Sequence, residues 1–298
     1  MNIAVCGNLT LDELVQGERI RISPGGSALF ASGAADYLGA KVEIIGNIGE
    51  DYPSSVLNWL KHHSLNLGVL RKTRGHSTRF RIGYYHGSRR LWLLHEGWPV
   101  ELTWKGGRVE GLHLGPVFNE ISESLVRSLR KKCGFMSLDI QGFVRKVNRS
   151  GEVQVLRCNL DSVLRMCDLM KASIDEAKRQ TSSRDHEVIL DRFLAKGPKY
   201  VILTLGAKGS LLGIRNYEKF LIPAFPDKSI KDPTGAGDVY AGAWLTSYLR
   251  TKDPVWAASV GSAFGSLASR RTGLSKFRVS RRELFRRTSW VYNHVSPL

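Results

Sequence analysis

The sequence lacks several signatures, and each absence excludes a class of protein. Its four cysteines include no CxxC pair, and no His/Cys spacing suits zinc. There is no run of about twenty apolar residues, so we expect no membrane span. The chain has no GxxxxGK[ST] motif, which excludes a P-loop kinase. No GxGxxG follows a predicted strand, which argues against a dinucleotide-dependent dehydrogenase.

The first fifteen residues also lack the basic segment and long apolar core of a secretion signal. We therefore expect a cytoplasmic protein, with the cysteines present as buried free thiols in a reducing compartment.

Acidic residues are few relative to basic ones. Lys and Arg number 44 against 27 Asp and Glu, which gives a formal net charge of +17. No aromatic stacking pattern, helix-turn-helix, zinc finger or RRM signature accompanies this charge, so a nucleic-acid partner is not expected. We interpret the basic residues near the end as a solvated helix face, favourable for polyanionic nucleotides; they are Arg270, Arg271, Lys276, Arg278, Arg281, Arg282, Arg286 and Arg287.

Strand and helix patterns alternate along most of the 298 residues. This rhythm predicts an α/β fold, a mostly parallel central sheet with helices on both faces. No linker or shift in composition divides the chain, so residues 1–298 are expected to form a single domain. The predicted strands are 3–6, 41–46, 112–115, 135–139, 168–172 and 200–205, and residues 147–155 are expected to form a loop.

Two segments break the alternation. Residues 78–96 contain two strand patterns around a glycine-containing turn at 86–89, which predicts a β-hairpin. The other segment is 9–22. We expect the hairpin to project from the main sheet and to form a small β lid with this segment, so that the lid covers about 9–22 and 76–98. The alternative is an edge hairpin without lid function. Its exposed edge could pair with a second copy, which would give a homodimer.

The stretch DPTGAGD at 232–238 runs directly into an apolar helix pattern. Gly235, Ala236 and Gly237 have almost no side chain, so their backbone N–H groups can approach a ligand closely. The helix start adds unpaired donors and partial positive charge, and together these make an anion site. Asp238 adds a carboxylate there, which fits a general base that deprotonates a hydroxyl during phosphoryl transfer. An ordinary helix cap is the alternative.

The complete DPTGAGD resembles the signature of the ribokinase-like (PfkB) family of carbohydrate and nucleoside kinases. The resemblance implies a three-layer fold with a small β lid, ATP as phosphoryl donor and Mg²⁺ as cofactor. Thr204, Gly206 and Gly209 are similar to the family's nucleotide loop. Ser173 and Glu176 lie where most relatives have Asn-x-x-Glu, whose Glu organises the Mg²⁺ shell through water.

The resemblance also implies a monovalent-cation site. In many relatives the residues equivalent to Asp232 and Thr234 hold K⁺ together with backbone carbonyls, here near Ala268, Arg271 and Gly273. The stretch from 268 to 273 has the right length for this role.

Candidate substrate-binding residues follow several predicted strands, where ligands bind in open α/β sheets. Asp12 matches a family carboxylate that holds substrate hydroxyls, and a carboxylate can accept two hydrogen bonds from a diol. The residues after Gly25 and Gly26 depart from the pattern of ribose kinases, which puts ribose in doubt. The complete predicted rim is Asn8, Asp12, Gly25, Gly26, Gln141 and Arg145.

Short matches at 90–93, 139–145 and 171–173 look like the myo-inositol kinase branch, so the best expectation is a kinase of a small polyol or sugar. A nucleoside is the runner-up, because Phe30, Phe80 and Tyr84 could clamp a base. A protein of another class, a catalytically silent nucleotide- or nucleic-acid-binding protein on this fold, is favoured only by the charge.

Overall fold

The computed structural model contains a ten-stranded sheet, a four-stranded sheet and a two-stranded hairpin. It describes residues 1–63, 65–85 and 88–298, without the side chains of residues 16, 84, 85, 88 and 89. The strands are β1 Asn2–Cys6, β2 Thr10–Gln16, β3 Arg19–Gly25, β4 Lys41–Ile48, β5 Leu65–Lys72, β6 Arg79–Tyr85, β7 Ser88–His95, β8 Val109–Leu114, β9 Cys133–Asp139, β10 Arg145–Val147, β11 Val153–Val155, β12 Leu169–Ser173, β13 Tyr200–Thr204, β14 Ser210–Ile214, β15 Lys219–Ile222 and β16 Ser296–Pro297.

The large sheet is mostly parallel, as predicted. Its strand order is β16-β15-β14-β13-β12-β9-β8-β1-β4-β5. Every pair from β13 across to β5 is parallel, whereas β14, β15 and β16 add on in antiparallel fashion. Central strands such as β1 are apolar and buried at nearly every residue, because both faces of the sheet are covered.

Helices cover the two faces, and alternate strand residues serve each face. The helices are α1 Ser27–Tyr37, α2 Ser54–His62, α3 Glu123–Arg130, α4 Gln141–Val144, α5 Asp161–Leu164, α6 Ile174–Thr181, α7 His186–Leu194, α8 Ala236–Thr251, α9 Pro254–Ser269 and α10 Arg281–Asn293, with 3-10 turns at Gly206–Lys208 and Gly273–Phe277. In β1, Ile3 and Val5 pack in the core that includes α1 and α8, whereas Ala4 and Cys6 pack in the core that includes α3 and α7.

Close packing fixes α8 against α1. A Cβ atom on Gly242 would overlap the backbone carbonyl of Ala31, so only glycine allows the two helices to approach this closely. The small residues of α1 and α8 therefore determine where the first turn of α8 lies.

None of the helices within the described ranges has the length and apolar content that a membrane crossing requires.

The two segments predicted to break the alternation form one four-stranded sheet, in the order β3-β2-β6-β7. Strands β2 and β6 join them in parallel register from Glu13 opposite Arg81 to Val15 opposite Gly83. We call this sheet the lid sheet. Residues 86 and 87 of the predicted hairpin turn lie outside the described residues.

Both segments of the lid sheet leave and rejoin the main body at touching points. A Cβ atom on Gly26 would lie 2.7 Å from the carbonyl oxygen of Asn8. At the second segment the backbone N–H of Gly97 donates to the hydroxyl of Thr78 at 3.1 Å. Each segment therefore leaves the main body and returns to it at adjacent residues.

The prediction of a loop at 147–155 is partly wrong, because the two ends of this stretch pair as the antiparallel strands β10 and β11. Glu152, between them, forms an isolated antiparallel bridge with Trp92 of β7. The edge of the predicted lid hairpin is therefore partly covered by this small hairpin. Strand β5, which the sequence reading did not include, extends the sheet beyond β4.

The expectation of a solvated basic face near the end is wrong for two of its residues. Lys276 and Arg287 are only 0% and 4% exposed. Arg287 donates to Asp227 at 2.6 Å and to Glu283 at 2.8 Å, and its guanidinium lies 4.3 Å from the ring centre of Phe225. These contacts tie α10 to the loop before residue 232, and the other six basic residues are exposed.

The cysteine expectation is confirmed for three thiols. Cys6, Cys133 and Cys167 are free and buried, and Cys158 is free and half-buried. Burial raises the pKa of the Cys6 and Cys167 thiols far above the ordinary value, so both are unreactive packing residues.

Candidate active site

A polar pocket lies between the lid sheet and the start of α8. It encloses about 420 Å³, part of it open to solvent. A larger groove of about 950 Å³ lies at the amino ends of β1 and β4, at the edge where open α/β sheets do not bind their ligands. The polar pocket is lined by Thr10, Asp12, Gly26, Ser27, Phe30, Phe80, Ile82, Leu91, Val117, Gln141, Arg145, Thr234, Gly235 and Asp238.

The predicted anion site is the turn that starts α8. Gly235 caps the helix with φ +76°, and a Cβ atom there would overlap the ring of Phe30. Ala236 donates its N–H to the Pro233 carbonyl at 3.1 Å, so this amide holds the turn. Among the described residues the N–H groups of Gly235 and Gly237 have no backbone acceptor, and they remain for a ligand. Two of the three predicted amides are thus available.

Asp238 lies in the first turn of α8, half-buried on the pocket lining. Its Oδ1 accepts a hydrogen bond from Nε2 of Gln141 at 3.3 Å. Burial raises the pKa of the Asp238 carboxyl above its ordinary value and Asp139 adds to this, whereas Lys171 opposes it. A carboxylate with a raised pKa at a pocket wall is suited to accept a proton.

Arg145 determines how Gln141 points. Its guanidinium donates to Oε1 of Gln141 at 2.7 Å and to the carbonyl of Val117 at 3.0 Å, and it lies 5.9 Å from the ring centre of Phe80. Because Oε1 of the amide faces Arg145, Nε2 faces Asp238. The predicted residues Gln141 and Arg145 thus form one chain of contacts that ends on the carboxylate of Asp238.

The sequence reading missed a buried ion pair beneath this chain. Nζ of Lys171 lies 2.5 Å from Oδ2 of Asp139, with the two residues 4% and 2% exposed. Burial alone would lower the pKa of Lys171, but Asp139 and Asp238 hold it above its ordinary value. A lysine within an apolar buried strand was the available signal, since a buried charge needs a partner.

The ammonium of Lys171 also reaches the anion site. A Cβ atom on Gly237 would lie 3.2 Å from Nζ of Lys171. A permanent positive charge therefore lies directly behind the backbone amides at the start of α8, where it favours a bound anion.

Of the predicted substrate residues on the lid side, Asp12 and Gly26 line the pocket, whereas Gly25 does not. Oδ1 of Asp12 accepts from the backbone N–H of Phe80 at 3.2 Å, and Oδ2 accepts from the hydroxyl of Thr10 at 2.9 Å. A Cβ atom on Gly25 would overlap the Asp12 carboxylate, and Gly26 has φ +95°. Both glycines are therefore needed to bring the chain past Asp12.

Asn8 does not line the pocket, contrary to its prediction as a substrate residue. It is 2% exposed, and its side chain accepts from the backbone N–H of Asn47 at 2.9 Å and donates to the carbonyl of Trp98 at 2.8 Å. The amide is used to tie β1 to β4 and to the segment after the lid sheet. Sequence carried no sign of this network, because Asn47 is distant along the chain.

Ser173 and Glu176 form a capping box at the start of α6. The hydroxyl of Ser173 accepts from the Glu176 N–H at 3.3 Å, and Glu176 accepts from the Ser173 N–H at 2.8 Å. Burial raises the pKa of the Glu176 carboxyl and the neighbouring Asp139 adds to this. The buried Glu176 carboxyl would gain from a nearby cation, so it fits Mg²⁺, which usually takes one or two carboxylates plus substrate phosphates. Within the described residues there is no group of three or more His, Cys, Asp or Glu side chains arranged to hold a metal alone.

The predicted nucleotide-loop residues lie beside this box rather than in the pocket lining. Thr204 is the register partner of Ser173 across β12 and β13. Gly206 and Gly209 follow with φ +62° and +99°, and a Cβ atom on Gly209 would overlap the carbonyl of Ile222. On the pocket side the buried hydroxyl of Thr234 has no hydrogen-bond partner among the described residues, so it is available to a ligand.

The predicted K⁺ site contains a lysine instead. Nζ of Lys276 donates to the carbonyl oxygens of Asp232, Ala268 and Arg271. Two of these, Ala268 and Arg271, are among the three carbonyls expected to hold the cation; the third, Gly273, is not a partner of Lys276. The residues therefore do not fit a bound K⁺, because an ammonium already occupies the centre of the site.

Comparison with known proteins agrees with this geometry. The model of the pfkB family carbohydrate kinases matches residues 119–279. The chain belongs to this family. The PfkB family match covers α3 through the 3-10 turn at Gly273–Phe277. It therefore includes Gln141 and Arg145, the capping box and the anion site.

Individual relatives of this PfkB chain act on different acceptors. It is 26% identical to a cytidine kinase of Thermococcus kodakarensis over 84% of this chain and 89% of that one. It is 25% identical to an inositol 3-kinase of Arabidopsis thaliana over 92% of this chain and 76% of that one. A pyrophosphate-dependent kinase of the ribokinase family, solved with a pyrophosphate analogue and myo-inositol, shares the fold at TM-score 0.80, with 22% identity over 95% of this chain and 99% of that one. The chain is thus a carbohydrate or nucleoside kinase with the ribokinase-like fold.

Proposed function

We propose that this kinase transfers the terminal phosphoryl group of ATP to a hydroxyl of a small cyclic polyol, with myo-inositol as the best candidate. The observation that carries the proposal is the Asp238 carboxylate. It has a raised pKa, lies on the pocket lining, and is one turn of backbone from the open amides of Gly235 and Gly237. A proton acceptor and an anion site are thus adjacent, as phosphoryl transfer requires.

In this mechanism Asp238 accepts the proton of the attacking hydroxyl while Gln141 holds the carboxylate in place. The oxygen of that hydroxyl bonds to phosphorus, the bond from phosphorus to the bridging oxygen breaks, and ADP leaves with the electron pair. The amides of Gly235 and Gly237, with Lys171 behind them, stabilise the negative charge on the phosphoryl oxygens. Phe80, Ile82 and Leu91 give the lid sheet an apolar wall that excludes water.

Glu176 is the residue that would hold Mg²⁺, through water, beside the phosphates. When bound, the ion supplies charge neutralisation on the phosphate oxygens. Thr204, Gly206, Gly209 and Thr234 would border the nucleotide on the same side.

The contacts of the aromatic residues favour a polyol over a nucleoside. Clamping a base needs open aromatic faces, but Arg145 covers Phe80 and the turn at Gly235 packs against Phe30. The Tyr84 side chain lies outside the described residues. Asp12 and Asp238 supply carboxylate oxygens, which match the hydroxyl groups around a polyol ring.

The mechanism is tested by Asp238→Asn. A well-placed general base contributes about 10²–10⁴ in rate, so we expect kcat to fall by at least that range while ATP still binds in a calorimetric titration. Near-normal turnover by the variant would refute the role of Asp238.

The substrate is tested by following ADP or phosphate release with myo-inositol, ribose, fructose, cytidine and adenosine, each with ATP or pyrophosphate as donor. We expect the highest kcat/KM with myo-inositol and ATP. A higher value with cytidine or adenosine would move the assignment to the nucleoside kinases. Turnover with none of them, together with tight salt-sensitive binding of RNA or DNA, would favour the non-catalytic alternative.

A further inference from the structure

The Lys276 ammonium lies at the centre of a cage of oxygen atoms. Nζ lies 2.7 Å from the carbonyl oxygen of Asp232, 2.7 Å from that of Arg271 and 3.3 Å from that of Ala268, with Oδ2 of Asp232 at 3.4 Å. The side chain is only 1% exposed. An ammonium has three N–H donors, so the three carbonyls satisfy it completely, whereas a neutral amine would leave one carbonyl facing a lone pair.

A positive charge at its centre stabilises the cage. Ala268 lies in the last turn of α9, where helix carbonyls carry partial negative charge, and Arg271 lies just beyond the C-cap of that helix. The Asp232 carboxylate adds a full negative charge. Rings of backbone carbonyls of this kind hold K⁺ in ion-selective proteins. The tethered ammonium supplies the same single charge from within the chain.

The cage is connected directly to the anion site. Oδ1 of Asp232 accepts from the Thr234 N–H at 3.0 Å, and the Asp232 N–H donates to the Ser269 carbonyl at 3.0 Å. Thr234 is followed immediately by the Gly235 cap of α8. Any shift of Asp232 would therefore move the amides that face the phosphoryl group.

We propose that Lys276 is a built-in monovalent cation, a positioning residue that fixes the Asp232–Gly235 turn and makes this kinase independent of K⁺. The part of this inference that concerns donor binding rests on the proposed function. The part that concerns the cage does not, because it predicts how the folded protein responds to cations.

The experiment measures thermal unfolding and ADP affinity in the chlorides of K⁺, NH₄⁺, Na⁺ and choline at constant ionic strength. For the unmodified protein we expect the same Tm and the same ADP affinity in all four salts. Lys276→Ala opens the cage, and loss of a buried charged partner should lower Tm in choline by about 5–8 °C. ADP affinity should fall by about 5- to 150-fold, the usual range for coupled sites.

Potassium or ammonium should then restore at least half of both losses in Lys276→Ala, with saturation, whereas choline should restore neither. Lys276→Met is the matched variant, because it removes the charge but fills the space, and we expect no restoration. Lys219→Ala is the control, since Lys219 pairs with Glu187 and Asp191 outside any carbonyl cage, and it should show no cation-specific response.

A K⁺-specific rise in Tm or ADP affinity of the unmodified protein would overturn the proposal. So would a folded Lys276→Ala variant that responds equally to all four salts. If that variant does not fold, saturable binding of Tl⁺ to the unmodified protein, followed by thallium NMR, overturns the proposal and its absence supports it. The two proposals can fail separately. If no acceptor is phosphorylated but K⁺ restores the Tm of Lys276→Ala, the proposed function is refuted and the cation role of Lys276 stands.

Discussion

Gly235→Ala tests whether the turn before α8 is as tightly packed as the structure indicates. Two costs add at this position. The residue has φ +76°, and a left-handed conformation costs a residue with a Cβ atom about 1–2 kcal/mol. The added methyl group would also overlap the ring of Phe30, and overpacking of this kind costs about 1–3 kcal/mol. We therefore expect the free energy of unfolding to fall by about 2–5 kcal/mol in total.

Gly75→Ala is the matched control, because Gly75 has φ +84° and an added Cβ atom there would meet no atom within 4 Å. It should lose only the conformational part, about 1–2 kcal/mol. The assay is urea denaturation of both variants, with ADP affinity measured in parallel. A double-mutant cycle of Gly235→Ala with Phe30→Ala should return a favourable coupling equal to the overpacking cost. Equal losses for the two glycine variants, or zero coupling, would refute the argument that Phe30 is fixed against the turn.

Two further predictions concern the charges around Asp238. Arg145 lowers the pKa of Asp238, so Arg145→Met should raise the pKa of Asp238 further. Because the base works deprotonated, the loss of kcat/KM on acidification should begin at a higher pH in this variant. An unshifted pH profile would contradict the role of Arg145. Lys171→Met leaves the buried Asp139 carboxylate without its partner and should cost about 3–5 kcal/mol of unfolding free energy in urea. The double change with Asp139→Asn should recover part of that loss, and no recovery would show that Lys171 stabilises by packing alone.

Much of the fold follows from local pattern. Apolar runs such as Ile3–Cys6 and small-residue helices such as 27–38 repeat at the spacing of a parallel α/β sheet, and the structure confirms that sheet. The stretch at 147–155 was misread because it is polar and its strands are three residues each. Strands this short carry too little alternation to be recognised.

The candidate site was predictable where one short motif holds the residues for both anion binding and proton transfer, as at Gly235 and Asp238. It was not predictable where charges pair over long distances in the chain. Lys276 read as a surface residue because lysine is almost never fully buried, and the Asp232 part of its cage lies 44 residues away in the chain. The Asn8 side chain was predicted to contact the substrate because its hydrogen-bond partner, Asn47, lies 39 residues away and cannot be recognised from the neighbouring sequence.

Because each of the two segments of the lid sheet begins and ends at adjacent residues, we expect either segment to be exchangeable. Because Asn8 touches Gly26 and Thr78 touches Gly97, a hairpin of different length or composition can be grafted between either pair without moving the scaffold that carries Asp238. If the lid sheet selects the acceptor, exchanging these segments with those of a relative should change acceptor preference while leaving the chemistry at Asp238 intact.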